Sequence, residues 1–173
     1  MNPAPFRCDA LAEALDRTGF RCGEEALDRY FRTQVTQDIR RRVANCFVVV
    51  EIASGIVAAY YTLSATSMPL VDLPTEVAKR LPRYPTLPAV RIGRLAVDLR
   101  FQRGLAELML MNAVHRTLSD AAAAFALLVD AKNDAATAFY RKYGFRAIEG
   151  RPRTLFLPIE TARKSLLESP RFH

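Results

Sequence analysis

Residues 96–113, AVDLRFQRGLAELMLMNA, combine residue types that suit an anion-binding turn. An apolar strand pattern ends at Asp98, Gly104 is the only glycine of the stretch, and an apolar helical pattern follows. Such a junction directs backbone N–H groups and the positive end of a helix dipole at one point, which suits a pyrophosphate. Gly104 would let a phosphate approach the backbone closely, Ala106 is small enough not to block it, and Arg103 adds positive charge.

A second segment with chemical potential is NDAATAFYRKYGF, residues 133–145. Asn133 is suited to cap a helix over 134–143, and Gly144 is suited to end it. Tyr140 carries a phenol with an ordinary pKa of about 10, so it keeps its proton at neutral pH and can donate it to a departing anion. The alternative for Tyr140 is an aromatic side chain that only packs on a sheet.

The basic residues indicate a polyanionic partner. The chain has 173 residues, with 25 Lys and Arg against 18 Asp and Glu, and a net charge of +7. This balance favours nucleic acid, an anionic cofactor or an acidic protein. The RNA-binding candidates are Arg40, Arg41, Arg42, Lys79, Arg80, Arg83, Arg91 and Arg94.

Composition also argues against several classes of protein. No apolar run approaches the roughly 20 residues of a membrane span, and the N-terminus lacks a secretory pattern, so a cytoplasmic protein without a membrane partner is expected. With two histidines and three scattered cysteines, a metal site is not expected, and the cysteines fit reduced thiols.

Hydrophobic periodicity predicts the elements that position these residues. The first half is predicted to be antiparallel, and the second half to alternate strand and helix, which predicts a mixed α/β (α+β) sheet with helices on its faces in one domain over 1–173. Residues 1–23 contain polar residues and turn signals. The predicted helices cover 24–45, 75–81, 105–122 and 134–143, and the predicted strands cover 46–52, 56–66, 89–98, 124–131, 144–150 and 153–159.

Taken with RIGRLAVD at 91–98, both segments resemble the GNAT superfamily of N-acetyltransferases. A narrower resemblance, to the acetyltransferase toxins of bacterial toxin–antitoxin modules, covers residues 18–160. It rests on RCGEEALDRYFRTQVTQD (21–38), AAYYTLSA (58–65), LPRYPTLPAVRIGRLAVD (81–98) and RTLFLPI (153–159).

The resemblance implies an acetyl-CoA site and a mostly antiparallel GNAT-like sheet. The backbone of Leu95, Ala96 and Val97 would pair with the pantetheine arm, and the turn at 102–106 would hold the pyrophosphate. Asn133 would lie at the edge of the cofactor, and Tyr140 would protonate the departing thiolate. The toxin branch acetylates the α-amino group of aminoacyl-tRNA and blocks translation. Its members are usually dimers, and a small DNA-binding antitoxin of the ribbon-helix-helix type neutralises them.

The turn departs from the family pattern in its spacing. Family members usually place two residues between an Arg or Gln and the glycine, whereas here only Arg103 separates Gln102 from Gly104. Counting back three positions from Gly104 reaches Phe101, which lacks a polar group. Three explanations follow: a tighter turn that still works, a weakened or inactive variant, or a turn that uses Arg100. We expect an acetyl-CoA fold with reduced affinity for the cofactor.

No dedicated general base is evident in the sequence. Glu51 and Asp98 end strand patterns, and His115 lies within the predicted helix after the turn. An α-amino group with a pKa of about 7.7–8.0 needs less help to lose its proton than a lysine at about 10.4. This favours an aminoacyl ester as acceptor. The alternatives are a small amine, a protein N-terminus, or a pseudoenzyme that binds an antitoxin or tRNA.

Overall fold

The computed structural model describes residues 5–102, 104–120 and 122–167. Its helices and strands are β1 (Phe6–Ala10), α1 (Glu25–Thr33), α2 (Val35–Arg40), β2 (Asn45–Glu51), β3 (Val57–Pro69), α3 (Thr75–Ala78), β4 (Thr86–Val97), α4 (Leu105–Ser119), β5 (Ala126–Asp130), α5 (Asp134–Lys142), β6 (Arg146–Ile148), β7 (Arg151–Pro158) and α6 (Ile159–Ala162). Short 3-10 turns occur at Leu70–Asp72 and Leu99–Phe101, and a π turn follows α6 at Arg163–Leu167.

The strands hydrogen-bond in the order β1-β2-β3-β4-β5-β7-β6. The β1–β2, β2–β3, β5–β7 and β6–β7 pairs are antiparallel, whereas β4 and β5 are parallel. The predicted mixed, mostly antiparallel sheet is therefore confirmed. Backbone contacts divide the chain into two compact units, and the described residues of Met1–Ser64 with Gly93–Ala113 form the first unit. Those of Ala65–Ile92 with Val114–His173 form the second unit.

An aromatic cluster forms the core of the first unit. The rings of Phe31 and Tyr60 stack with centroids 4.3 Å apart, and Phe20 contacts both rings edge-on. The Tyr60 hydroxyl donates to the Leu27 carbonyl at 2.7 Å, so this buried polar group is satisfied. The helical spacing of the apolar residues in α1 therefore fixes that helix against β2 and β3.

The predicted helix over 24–45 is wrong in its extent. Gln34 leaves the helical region with φ −122° and ψ −28°, so the segment divides into α1 and α2, and Asn45 already belongs to β2. At the end of α2, Arg42 adopts a left-handed φ of 59°. The Val43 N–H then bonds the Asp38 carbonyl at 3.0 Å, which closes the helix in a Schellman pattern.

The strand β1 was not predicted, because three of its five residues are exposed and none has the strong apolar pattern of a core strand. It pairs with β2 alone, from Phe6 opposite Glu51 to Ala10 opposite Phe47. An edge strand with solvent on one side needs few apolar residues, so its hydrophobic periodicity is too weak to predict a strand from the sequence.

The second unit has an aliphatic core beneath a run of buried strand residues. In β5, residues 126–129 are all buried, and β7 buries Leu155, Phe156 and Leu157.

The short helix α3 ends at Ala78 rather than at residue 81 as predicted, and α4 ends at Ser119 rather than at 122. The strands predicted at 56–66 and 89–98 are longer at one end, since β3 continues to Pro69 and β4 begins at Thr86.

Candidate active site

The turn after β4 is built around the carboxylate of Asp98. This side chain is 1% exposed and accepts from the Arg100 backbone N–H at 2.9 Å, from Arg100 Nε at 2.9 Å and from Arg100 Nη2 at 3.0 Å. The backbone N–H of Arg21 also donates to it at 3.1 Å, and Leu99 N–H returns a bond to the Arg21 carbonyl at 2.8 Å. These bonds join the turn to the loop before α1.

The electrostatics of Asp98 exclude it as a general base in this arrangement. Burial raises the pKa of this carboxyl, but hydrogen bonds from Arg100 and Arg21 outweigh burial, and the pKa lies below its ordinary value. Both oxygens already accept from donors, so neither is available to take a proton from an amine. Arg100 contributes Nε and Nη2 to this carboxylate, which leaves less of its guanidinium for a phosphate.

Gln102 and Gly104 are the described residues on either side of the position that gives the turn its shorter spacing. Gln102 has φ −65°, and its side-chain amide donates back to the carbonyls of Val97 at 2.8 Å and Asp98 at 3.2 Å. Gly104 has a left-handed φ of +76°, and no heavy atom lies within 4 Å of the position a Cβ would take. Arg103, a predicted member of this turn, lies outside the described residues.

The geometry at Gly104 fits a pyrophosphate cradle. A left-handed φ favours glycine, and the open space over its Cα is what a phosphate approaching the backbone needs. The helix α4 begins at once with Leu105, which is 3% exposed, and Leu108 N–H bonds the Gly104 carbonyl at 3.2 Å. Ala106, a predicted contact residue, lies in the first turn of this 15-residue helix.

The C-terminal half of β4 contains the predicted pantetheine-binding residues Leu95, Ala96 and Val97. The parallel register of β4 with β5 runs from Ala89 to Ile92 and includes no residue of 93–97. Residues 93–97 lie beyond this register, in the first unit, and β4 continues to Val97. A strand edge of this kind can hydrogen-bond the amide groups of a pantetheine arm.

Gly93 of β4 and Thr62 of β3 form a contact that sequence patterns did not reveal. The Arg94 N–H donates to Thr62 Oγ1 at 3.0 Å, and a Cβ at Gly93 would lie 2.9 Å from the same oxygen. Thr62 is 2% exposed, so it has no room to move aside. The glycine in RIGRLAVD is thus required by a close contact within the first unit.

Tyr140 lies in α5 of the second unit, with a buried ring. Its ring packs edge-on against Phe139 and Phe145, with centroids 5.2 Å away in each case, and the residue is 6% exposed. Burial raises the pKa of Tyr140 to about 12. No hydrogen bond joins its hydroxyl to a described residue, so the group can still donate to a ligand.

Asn133 caps α5 as predicted. Its side-chain oxygen accepts from the Ala136 N–H at 2.8 Å. At the other end, Gly144 has φ +95°, and Phe145 N–H bonds the Tyr140 carbonyl at 3.2 Å. These two caps fix the length of α5 and hence the position of Tyr140 along it.

The predicted RNA-binding residues divide into two groups. Arg40 pairs with Glu13, Arg91 pairs with Asp130, and the guanidinium of Arg94 lies 3.5 Å from the centroid of the Tyr30 ring. No ion pair within the described part of the chain involves the other five, and all five are exposed. They are Arg41 and Arg42 in the first unit, and Lys79, Arg80 and Arg83 in the second.

Other candidates for acid–base or metal chemistry have structural explanations. Glu51 accepts from the Ser54 hydroxyl at 2.7 Å, and His115 is exposed on α4. Within residues 5–102, 104–120 and 122–167, no group of three or more His, Cys, Asp or Glu could hold a metal ion. No helix among them is long and apolar enough to cross a membrane.

Comparisons with known proteins identify the family of this chain. The model of the acetyltransferase (GNAT) domain family matches residues 80–154. A tRNA-acetylating toxin of Mycobacterium tuberculosis (strain ATCC 25618 / H37Rv) is 33% identical over 156 residues, which are 88% of this chain and 92% of the relative. This chain belongs to the GNAT acetyltransferase family.

Two solved structures are similar to this GNAT acetyltransferase. AtaT complexed with acetyl-methionyl-tRNAfMet has 28% identity and a TM-score of 0.84, over 92% of this chain and 98% of that chain. AtaTR bound with AcCoA has 26% identity and a TM-score of 0.76, over 92% of this chain and 97% of that chain. The acetyltransferase uses acetyl-CoA, and its described turn and strand edge fit that cofactor.

Proposed function

We propose that this GNAT acetyltransferase is a toxin that acetylates the α-amino group of aminoacyl-tRNA and thereby blocks translation. The observation that carries the proposal is the similarity to a tRNA-acetylating toxin over 92% of that toxin's length. The likeness to AtaT complexed with acetyl-methionyl-tRNAfMet supports the same substrate class. Acetylation removes the nucleophilic amine that an aminoacyl-tRNA needs in order to accept a peptide.

The chain's own residues supply the cofactor contacts of this proposal. The backbone of Leu95, Ala96 and Val97 binds the pantetheine arm along the β4 edge, and Gly104 leaves room for the pyrophosphate. When bound, acetyl-CoA supplies an acetyl group activated as a thioester. The remaining proposed contact residues are Gln102, Arg103, Leu105, Ala106 and Asn133.

Tyr140 acts in this proposal as the proton donor. Burial raises its pKa to about 12, so the phenol stays protonated across the neutral range. Its hydroxyl lacks a hydrogen-bonding partner in the described residues, so it can donate to the sulfur as the C–S bond breaks. The attacking nitrogen releases one proton as the C–N bond of the amide forms, and this proton replaces the one that the phenol gives to the sulfur. A fixed acid of this kind accelerates a reaction by about 10²–10⁴-fold.

The lack of a fixed base supports an α-amino acceptor. Asp98 accepts from Arg100 and Arg21, and Glu51 accepts from Ser54, so neither carboxylate is an evident proton acceptor. A far larger fraction of the α-amino group of an aminoacyl ester than of a lysine side chain is neutral near pH 7, since its pKa lies at or below about 7.7–8.0 rather than at about 10.4. A lysine side chain would need a base to react at the same pH.

The basic residues of the chain are proposed to attract the tRNA substrate. The exposed cations Arg41, Arg42, Lys79, Arg80 and Arg83 attract the phosphates of tRNA, while Arg40, Arg91 and Arg94 add positive charge from within their ion-pair or ring contacts. The protein acts in the cytoplasm as a homodimer. A ribbon-helix-helix antitoxin binds it and suppresses its activity.

Acceptor choice tests the proposal directly. Purified protein is incubated with labelled acetyl-CoA and one of three acceptors: charged tRNA, a peptide with a free N-terminus, or free lysine. We expect label on charged tRNA only, and none with Tyr140→Phe. Transfer to the peptide or to lysine with charged tRNA untouched would replace the proposed substrate, and absence of transfer to any acceptor would favour a pseudoenzyme.

A further inference from the structure

Residues 70–85 of the second unit form a loop that is held by a backbone hydrogen bond and by apolar packing. The loop runs from the 3-10 turn to the start of β4. Leu70 N–H donates to the Pro85 carbonyl at 3.0 Å and closes the loop at its base. Leu73 is 6% exposed, and Val77 and Leu81 pack against the same apolar cluster. The loop is therefore held against this apolar cluster, while Lys79, Arg80, Arg83 and Tyr84 are exposed.

The acidic residues of this loop are neutralised by the chain itself. Asp72 accepts from Arg151, and Glu76 accepts from Arg146 at 3.2 Å. A backbone hydrogen bond and the Arg146 bond lower the pKa of Glu76, so it stays ionised and paired. The cations of the same loop, Lys79, Arg80 and Arg83, have no such ion pair to a described residue and are exposed.

Tyr84 stands beside these cations with an exposed ring. It is 63% exposed, and no ring contact or hydrogen bond to a described residue holds its side chain. Pro82 and Pro85 fix φ on either side of Arg83–Tyr84, and a residue before proline is restricted to extended backbone. The backbone that carries the ring is therefore restricted before binding, which reduces the backbone entropy lost when a ligand binds.

We propose that Tyr84 is a base-stacking residue, and that Lys79–Tyr84 binds the unpaired 3′ end of the tRNA substrate. This proposal rests on the proposed function. An aromatic face interleaved with cations suits single-stranded nucleic acid, because bases stack on the ring while the cations follow the phosphates. A nucleic-acid duplex would contact the cations through its phosphates, but its paired bases could not stack on the ring. An acidic protein segment would also pair with the cations and make no specific use of an aromatic ring between two prolines.

Binding of a single-stranded RNA probe tests this assignment. The probe is a short labelled RNA ending in CCA, and fluorescence anisotropy measures its dissociation constant for the intact protein. We expect Tyr84→Ala to weaken binding by about 5- to 150-fold, the range for loss of one stacked base, and Tyr84→Trp to restore it. Val71→Ala is the matched control, since Val71 lies in the same loop and is 91% exposed.

Kinetic readouts separate this proposal from the proposed function. If Tyr84→Ala raises the KM for charged tRNA and leaves the dissociation constant of acetyl-CoA unchanged, the assignment stands. If the wild type acetylates charged tRNA but Tyr84→Ala alters neither KM nor probe binding, only the stacking assignment fails. Loss of self-association or of antitoxin binding in Tyr84→Ala, with RNA binding intact, would assign the loop to a protein partner instead. If the wild type binds the probe but never acetylates tRNA, the proposed function fails.

Discussion

Asp98 holds Arg100 through both of its carboxylate oxygens, with Nε 2.9 Å from Oδ1 and Nη2 3.0 Å from Oδ2. The backbone N–H groups of Arg100 and Arg21 complete the coordination of this buried side chain. One carboxylate thus fixes the turn after β4 and the loop before α1 at the same time. The direction in which the β4 edge leads into α4 depends on this residue.

Replacing Asp98 with Asn should therefore weaken both the fold and the cofactor turn. The amide keeps the shape but loses charge-assisted hydrogen bonds, so we expect a loss of about 1–3 kcal/mol in the free energy of unfolding, measured with urea. The matched control is Asp9→Asn, which removes the partner of Arg7 in an exposed pair at 3.2 Å and should cost less than about 1 kcal/mol. Equal effects of the two substitutions would contradict the assigned role of Asp98.

Two glycines allow a test of the pyrophosphate cradle. Gly104 has φ +76° and Gly150 has φ +82°, and at both residues the space that a Cβ would fill has no heavy atom within 4 Å. Alanine at either residue should cost about 1–2 kcal/mol of stability, since both substitutions impose a left-handed φ on a residue with a Cβ. Only Gly104→Ala should also weaken acetyl-CoA binding in calorimetric titration, because its Cβ would occupy the space of the phosphate. Equal weakening by Gly150→Ala would attribute the effect to stability alone.

The same titration of the wild type addresses the spacing of the turn. The Gln102 side-chain amide donates to the carbonyls of Val97 and Asp98, so Gln102 is held against the end of β4 despite the shorter spacing. Binding of acetyl-CoA in the micromolar range would support a working cradle. No detectable heat would support a cofactor-weakened protein.

Tyr140→Phe separates proton donation from packing. Phenylalanine keeps the ring contacts with Phe139 and Phe145 but removes the hydroxyl, so we expect kcat to fall by about 10²–10⁴-fold with stability and acetyl-CoA affinity nearly unchanged. Tyr143→Phe, which changes the residue after α5, is the matched control and should keep kcat. A kcat for Tyr140→Phe within twofold of the wild type would remove Tyr140 from the proposed mechanism.

The catalytic rate should rise with pH, whereas the contribution of two buried groups to the free energy of unfolding should fall at high pH. The rate should rise from about pH 6 to 8 as the acceptor amine loses its proton, without a falling limb below about pH 9, because burial raises the pKa of Tyr140 to about 12. Burial likewise raises the pKa of the Cys46 thiol to about 12. Both groups keep protons in the folded state that the unfolded chain releases from about pH 9–10 upward. Their contribution to stability is complete below that range and declines as pH rises towards 12, which urea unfolding at several pH values would measure.

The sequence predicted elements whose signals are local. Asn133 and Gly144 are helix caps that act within a few residues, so the start of α5 at Asp134 was predicted correctly and its end at Lys142 lies one residue before the predicted end at 143. The break at Gln34 was missed because neither glycine nor proline marks it. The role of Asp98 depends on Arg21, which lies 77 residues away in the chain, and no periodicity reports such a partner. The same limit applies to Arg91 and Arg94, whose partners Asp130 and Tyr30 come from other elements.

Arg42 offers a test in which stability and RNA binding should change in opposite directions. Its φ of 59° at the end of α2 disfavours any residue with a Cβ, so Arg42→Gly should raise the free energy of unfolding by about 0.5–1 kcal/mol. Arg41 has φ −79°, so Arg41→Gly should lower it by about 0.5–1 kcal/mol. Each substitution removes one exposed cation, and each should weaken tRNA binding and reduce its salt dependence if the cation contacts phosphate. A stabilised Arg42→Gly variant with unchanged tRNA affinity would remove this arginine from the RNA-binding surface, since unfolding could not account for the result.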